Sequence, residues 1–455
     1  MTENVSRRRI IAFVVALGFV TAAYYHYWRA EYRLEVYPRA TYLFRPNDQY
    51  TYSVKPPISG IHMFGDLLAV SQMMHDRDPY RPHPETGLPT PSNYPPFIHV
   101  VTWMFSYVPY PLAVAVYCIL AYGIIGTFWV YTVGTGNNME TWLTVLILTA
   151  MSYPVQFVID RGNVEVFAFG FAALFCVNYL ANRPNASAAW LGLAAAAKIF
   201  PGVFVVVLLV EKRWKACLIF LATMTLATFA SSVLLKGGLF TTAQGFPAAL
   251  RTYAHMVNDS DPFAFGWGVR GAFGFNRHIA SVHPFLVRPI AAFQKHFNVI
   301  VLMPLALVLL GSTALPGLKR WERLILVVGV IACVPVPVPD YLLLYLFVPI
   351  AAFVNESDID ENTDAIRSGR LTAVLFALLL VPWAYATDFE RHEGTIIRPA
   401  LLMLIYCRIV ATRVWALSGY AAFSWAQRRV RAIASGSGTV ARRPSSSLAR
   451  SVAGT

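Results

Sequence analysis

What most limits this chain is a succession of long apolar runs that carry almost no charge, of which residues 112–133 and 215–235 are the plainest. Each is close to the roughly 20 residues that a helix needs to cross a bilayer. Only 13% of the 455 residues are charged, against about 25% in soluble domains, and the mean hydropathy is +0.51. The fold class that follows is all-α, a multi-pass transmembrane helix bundle. The net charge of +13 would suggest nucleic acid in a soluble protein. Here Lys and Arg gather at the ends of apolar runs and in the last thirty or so residues, as cytoplasmic anchoring requires, so no nucleic-acid partner is expected.

The positive-inside rule orients the segments. Arg7-Arg8-Arg9 precede an apolar run over 10–28 that is too long for a signal-peptide core and closes on Tyr25-His26-Tyr27-Trp28, not on small residues. It is read as a retained anchor with its N-terminus in the cytoplasm. Residues 30–110 then form a first external loop carrying interfacial helices, including the short apolar piece 97–107. Spans follow at 112–133, 141–158 and 163–181. Residues 187–210 read as a broken, re-entrant hairpin with Lys198 at its tip, because both ends carry cytoplasmic features. Irregular backbone at that depth must be buried in protein or face a wet cavity. Residues 215–235 cross outward and 236–296 form a second external loop. Further spans are expected at 297–315, 324–338, 342–354, 371–386 and 396–412, giving about ten in all plus the hairpin. The basic turns at Arg183, at Lys212-Arg213 and at Lys319-Arg320 all fall on one side of this scheme. The chain thus divides into a membrane domain, 1–418, and a basic, disordered cytoplasmic tail, 419–455. The five cysteines lie in apolar segments without metal or redox spacing and read as small core residues.

Gly60 to Tyr80 is the stretch with chemistry in it. Read as a helix, Ile61, Phe64, Leu67, Leu68, Val70 and Met74 make an apolar face at three- and four-residue spacing, and Asp66 rides beside it. On the topology above Asp66, Asp160-Arg161, Asp340-Tyr341 and the second loop open on the outer face, and Lys198 approaches from below. An acid with cations nearby suits glycosyl transfer from a lipid phosphate. The acceptor hydroxyl needs a carboxylate base, worth about 10²–10⁴-fold, and the departing phosphate needs positive charge. Outside the cytoplasm such a donor is carried on a polyprenyl phosphate.

Asp66, then Asp78-Pro79-Tyr80, then Tyr94-Pro95-Pro96, together with Arg161-Gly162-Asn163-Val164-Glu165 and Ala197-Lys198-Ile199-Phe200-Pro201, resemble glycosyltransferases of the GT-C class. More narrowly they resemble glycosyltransferase family eighty-seven, polyprenyl-phosphate-mannose-dependent α-mannosyltransferases, over roughly 10–415. The resemblance implies an inverting hexosyltransferase in the plasma membrane, with Asp66 as general base and Arg161 and Lys198 on the donor phosphate. It implies no cofactor beyond the lipid-linked sugar co-substrate, and partners that are the polyprenyl-phosphate sugar, a lipid or glycan acceptor and membrane lipids. Some members carry Trp-x-His-His before a late span; this chain has Pro335-Val-Pro-Val-Pro-Asp340-Tyr341, so no histidine role carries over there.

Plainer readings stand beside these. Asp66 could be the polar face of an interfacial helix, and Lys198 a snorkelling lysine. Asp76-Arg77-Asp78 has the look of a metal-binding Asp-x-Asp, but without a nucleotide-binding domain it is read as a helix-ending turn, with Asp78 beside the acceptor. Arg161 could pair with Asp160, and Glu165, costly to bury alone, is expected to pair with Arg161 one turn before it. In the second loop Arg270 is the preferred phosphate contact and His255 a cavity residue. Tyr80, Tyr94, Asn163, Asp340 and Tyr341 complete the expected cavity. No metal site is expected. The competing class is a transporter or lipid flippase, which would show paired broken helices in two halves; one broken hairpin and large external loops favour an enzyme.

Overall fold

The computed structural model describes residues 64–82, 91–133, 139–150, 152–260, 285, 287–333, 340–355, 363–380 and 397–414. The anchor over 10–28, Arg270, Pro335–Pro339 and the tail beyond 414 lie outside them. Every regular element among the described residues is helical. In chain order they begin with α1 (Gly65–Met73), α2 (Pro96–Thr102) with a 3₁₀ turn after it (Trp103–Tyr107), α3 (Tyr110–Val133), α4 (Met139–Ala150) and α5 (Tyr153–Arg161). Next come α6 (Glu165–Leu180), α7 (Pro184–Ala197), a 3₁₀ turn (Phe200–Phe204), α8 (Val205–Val210), α9 (Trp214–Leu234) and α10 (Gly238–Ser260). The later elements are α11 (Val287–Phe297), a π turn (Asn298–Leu302), α12 (Met303–Ser312), α13 (Arg320–Cys333), a 3₁₀ segment (Asp340–Leu346), α14 (Phe347–Asn355) and α15 (Thr363–Leu379). Residues 397–414 are also helical.

Two helices, α3 and α9, are long and apolar enough to cross a membrane, and the bent pair α4–α5 makes a third if counted as one span. Five shorter apolar helical stretches accompany them, among them Glu165–Leu180 and Leu342–Asn355. On α9, Trp214, Leu218, Leu221, Leu226 and Phe229 are each at least half exposed. So continuous an apolar surface is costly in water, and these helices mark a membrane protein.

Several expected boundaries move, for local reasons. The span placed at 141–158 is bent by 53°, because Pro154 sits in the first turn of α5 and Ser152 before it is extended. The second external loop, expected as loop from 236, opens with the 23-residue α10. Helix also precedes the span expected from 297, since α11, the π turn and α12 run on without a gap. The chain does break at Lys198, which is extended (φ −152°, ψ 131°), and Pro201 sits in the first turn of the 3₁₀ segment that follows.

α7 is the helix around which the others close. Its alanine and glycine residues let α6 and α9 come near: a Cβ on Gly192 would stand 2.8 Å from the Phe220 carbonyl oxygen of α9. Phe105, Tyr117 and Phe167 fill the space next to α1, with ring centroids 6.0–6.5 Å apart. A second aromatic group, Trp321, Phe353 and Phe376, locks α13 to α14 and α15. Of the cysteines, Cys176 and Cys217 are buried as expected, whereas Cys407 is exposed, which corrects the core reading for that one. Met1–Tyr406 form one compact unit and Cys407–Thr455 another; everything below concerns the first.

Candidate active site

Asp66 lies in the first turn of α1. The helix buries Leu67, Leu68, Val70 and Met73, with Phe64 and Met74 also inside, so the expected apolar face is present; Ile61 is outside the described residues. Phe64, in the left-handed region (φ 56°), caps the helix. Its carbonyl accepts from the Tyr110 hydroxyl at 3.1 Å, and its ring meets Tyr117 edge-on. These contacts fix where α1 begins, and hence where Asp66 stands.

Arg161-Gly162-Asn163 meets this helix end-on, and each residue has a separate part. Arg161 donates from Nε to Asp66 Oδ2 at 2.7 Å and from Nη2 to Oδ1 at 2.9 Å, a two-pronged pair of the strong, charge-assisted kind. Asn163 Nδ2 donates to Asp66 Oδ2 at 2.6 Å and to the Tyr94 hydroxyl oxygen at 3.2 Å, while its Oδ1 accepts the Glu165 backbone N–H at 2.8 Å. Its amide therefore holds the carboxylate and caps α6 together. Gly162 ends α5 at φ 62°. A Cβ there would lie 2.8 Å from Leu67 Cβ and 3.1 Å from Phe64 Cα, so only glycine lets α1 come this near. The Asp66 side chain is 23% exposed and that of Arg161 28%, which leaves the pair open on one side.

One layer deeper, Glu165 is fully buried. Its partners are Lys198, with Nζ 3.4 Å from Oε2, and the Tyr345 hydroxyl, which donates to Oε1. This corrects the expected Glu165–Arg161 pair: the residue before Gly162 points to α1, whereas Glu165 opens α6 and faces the end of α7. It also corrects the snorkelling alternative for Lys198, whose side chain is 9% exposed and whose ammonium lies 4.2 Å from the Tyr94 ring centroid. A buried carboxylate needs such partners. The desolvated setting, then the Asp66 and Glu165 charges, push the Tyr94 phenol well above its usual value, so it stays neutral. Arg161, Asp66, Asn163, Tyr94, Lys198, Glu165 and Tyr345 thus form one connected polar chain inside an apolar bundle.

Asp76-Arg77-Asp78 is the expected helix-ending turn. Asp76 Oδ1 accepts the Asp78 N–H at 3.3 Å, its Oδ2 binds Arg81 at 2.6 Å, and Arg77 is left-handed at φ 60°. The Tyr80 hydroxyl donates to the Tyr94 carbonyl at 2.9 Å, and both rings stand edge-on to buried His99. Burial pushes the His99 imidazole down to about 3. Tyr253 of α10 is the residue there that senses the site: burial raises its phenol, Arg161 lowers it and Asp66 raises it. His255, two residues on, is exposed. Arg270 falls outside the described residues. Asp340 and Tyr341 start the 3₁₀ segment, and their side chains are outside the description; the residue that this segment delivers to the cluster is Tyr345. Among the described residues no group of three or more His, Cys, Asp or Glu side chains could hold a metal.

Sequence reasoning missed Tyr345, Tyr117 and the steric role of Gly162. Tyr117 donates to the Val158 and Asn163 carbonyls, 2.9 Å each, and so ties α3 to the turn that carries the site. A tyrosine within an apolar run is weak signal. Gly162 was visible as the middle of Arg-Gly-Asn, but its partner 95 residues earlier was not.

The family model of glycosyltransferase family 87 matches residues 93–339, more than half of the chain, and the chain belongs to that family. The match takes in Tyr94, Arg161, Asn163, Glu165 and Lys198 and starts after Asp66, so it is narrower than the resemblance over 10–415. No curated protein and no solved structure matches the chain. Family membership makes it a glycosyltransferase and decides against the transporter reading.

Proposed function

We propose that this member of glycosyltransferase family 87 moves a hexose, mannose first among the candidates, from a polyprenyl-phosphate donor to a lipid or glycan hydroxyl at the outer face of the plasma membrane, with inversion. The observation that carries the proposal is the Asp66 carboxylate, partly open to solvent and gripped by Arg161 and Asn163. The multi-pass topology with both termini in the cytoplasm belongs to the same proposal.

The acceptor O–H gives its proton to an Asp66 oxygen while its oxygen bonds to the sugar's anomeric carbon. The bond from that carbon to the phosphate oxygen breaks, and the electron pair leaves on the polyprenyl phosphate. Attack from the face opposite the departing phosphate inverts the anomeric centre. Arg161 and Lys198 are the cations for that phosphate, and each stands on a carboxylate, Asp66 and Glu165 respectively. An arriving phosphate therefore competes with Asp66 for Arg161. As the guanidinium turns to the phosphate, the carboxylate loses two donors that weaken it as a base. Donor binding in this way readies Asp66 only when there is a sugar to transfer, which limits waste of the donor.

The direct test is to incubate the purified protein with polyprenyl-phosphate-mannose and a membrane extract and to identify the mannosylated product. Mannose appearing on a lipid or glycan with inverted linkage supports the assignment. If neither mannose nor another prenyl-linked hexose moves, the donor class is wrong.

A further inference from the structure

We propose that Tyr253, on the inward face of α10, is a further substrate-binding residue and donates a hydrogen bond to the phosphate that leaves with the polyprenol. The proposal rests on the glycosyl-transfer reading above and adds to it a neutral donor beside Arg161.

α10 has one buried face. Thr242 and Ala249 are inside, whereas Gln244, Pro247, Arg251 and His255 are exposed. Thr242, Gly245, Phe246, Ala249 and Tyr253 follow one another at helical spacing and share the inward face. That face packs on the turn after α1. The Phe246 and Tyr80 ring centroids are 5.6 Å apart, and a Cβ on Gly245 would come within 3.0 Å of Tyr80 Cβ, so the helix backbone closes directly on this tyrosine. The Lys236 N–H, just before α10, donates to the Arg77 carbonyl at 2.9 Å and holds the start of the helix to the same turn. Tyr80 in its turn donates to the Tyr94 carbonyl, and the Tyr94 hydroxyl meets Asn163, which holds Asp66. α10 is thereby fastened to the layer that carries the reaction centre. Tyr253 lies two helical turns, about 10 Å, beyond Phe246 on that face. The charges of Arg161 and Asp66 both act on its phenol, that of Arg161 the more strongly.

The chemistry of this position suits a phosphate oxygen. Tyr253 is half-buried, and among the described residues no hydrogen bond engages its hydroxyl. Burial raises the phenol against the pull of Arg161, so the proton stays on the oxygen and is there to be donated. The Asp66 and Arg161 side chains are 23% and 28% exposed, and Tyr253 reaches the pair through its field without bonding to either member. That leaves space for a ligand among the three. Arg161 is the cation assigned to the donor phosphate, and the tyrosine that feels it most is a second donor for the same group. A hydroxyl already held in place gains strength as charge builds on the leaving oxygen. The proton remains on Tyr253 throughout, and the electron pair departs on the phosphate as described above.

Native mass spectrometry of the whole protein in detergent tests this with two probes, polyprenyl phosphate and polyprenyl-phosphate-mannose. Tyr253→Phe removes the hydroxyl and keeps the ring. It should lose about tenfold in affinity for polyprenyl phosphate, the scale of one hydrogen bond to a charged group. The loss for the mannosylated lipid, whose phosphate carries one charge fewer, should be smaller, and kcat for transfer should fall while KM for the donor changes little. Thr252→Val, which removes an exposed hydroxyl one residue away, should alter none of these. Equal affinity of wild type and Tyr253→Phe for polyprenyl phosphate overturns the proposal. An equal loss for both lipids also overturns it, since Tyr253 would then only shape the site. Wild type that binds neither lipid overturns the donor class and this contact with it, whereas tight binding that Tyr253→Phe leaves intact strikes Tyr253 alone.

Discussion

Gly162→Ala isolates the packing that sets the geometry of the site. The new methyl would sit 2.8 Å from Leu67 Cβ, about 0.6 Å short of ordinary contact at 3.4 Å, and 3.1 Å from the Phe64 backbone. A backbone atom cannot swing aside as a side-chain end can, so α1 has to move. The left-handed φ of 62° adds about 1–2 kcal/mol for a residue with a Cβ, and overpacking adds roughly 1–3 kcal/mol. The combined destabilisation is about 2–5 kcal/mol. Because Asp66 precedes Leu67, the displacement opens its 2.7 Å contact with Arg161. Misplacement on the order of 1 Å costs about a hundredfold in rate, so kcat should fall between roughly ten- and a hundredfold. Thermal unfolding in detergent and initial rates of hexose transfer read the two effects together. Gly170→Ala is the control: its nearest new neighbour is the Ile124 side chain at 3.2 Å, and it should change stability by less than about 1 kcal/mol. Wild-type rate and melting temperature in Gly162→Ala would refute the account of how the Arg-Gly-Asn turn positions Asp66.

Three further outcomes follow from the same contacts. Glu165→Gln keeps the shape but leaves Lys198 without its counter-charge (Nζ–Oε2 3.4 Å); the melting transition should report a loss of about 3–5 kcal/mol, and no loss would mean that the pair is not a buried charge partnership. Arg161→Lys cannot reproduce the two-pronged grip, so it should raise KM for the donor and lower kcat together, whereas a change in neither would separate Arg161 from the chemistry. His99 titrates near 3 in the folded protein and near 6.5 unfolded. Between those values the unfolded chain binds a proton that the native one does not, so stability is complete above about pH 6.5 and declines as pH falls, by about 2 kcal/mol at pH 5. His99→Phe should flatten the melting temperature between pH 7 and pH 5; an unchanged slope would contradict the assignment.

How much could be read ahead differs between elements for physical reasons. The long spans 112–133 and 215–235 fall within two residues of α3 and α9, because an apolar run of that length has few alternatives. The break at Lys198 was legible from Pro201 and the charge before it. Asp66 and Arg161 were each picked out, but as a base and a free phosphate cation; that they bind each other depends on how α1 packs on the α5–α6 turn, and nothing local in either segment records it. The Glu165 pairing failed for the same cause. One-turn spacing made Arg161 its natural partner, and Gly162 breaks the helix between them so that the two side chains serve different neighbours. The stretch from 236 was placed only as an external loop between spans, yet α10 forms there and carries Pro247 inside it.

The central claim is that the Asp66 carboxylate takes the acceptor's proton. Asp66→Asn keeps the size and can still accept from Arg161 and Asn163, but it cannot act as the base. Transfer from polyprenyl-phosphate-mannose by this variant, measured beside wild type at matched folded concentration, should fall by about 10²–10⁴-fold while the donor still binds. Turnover by Asp66→Asn at the wild-type rate would contradict the account.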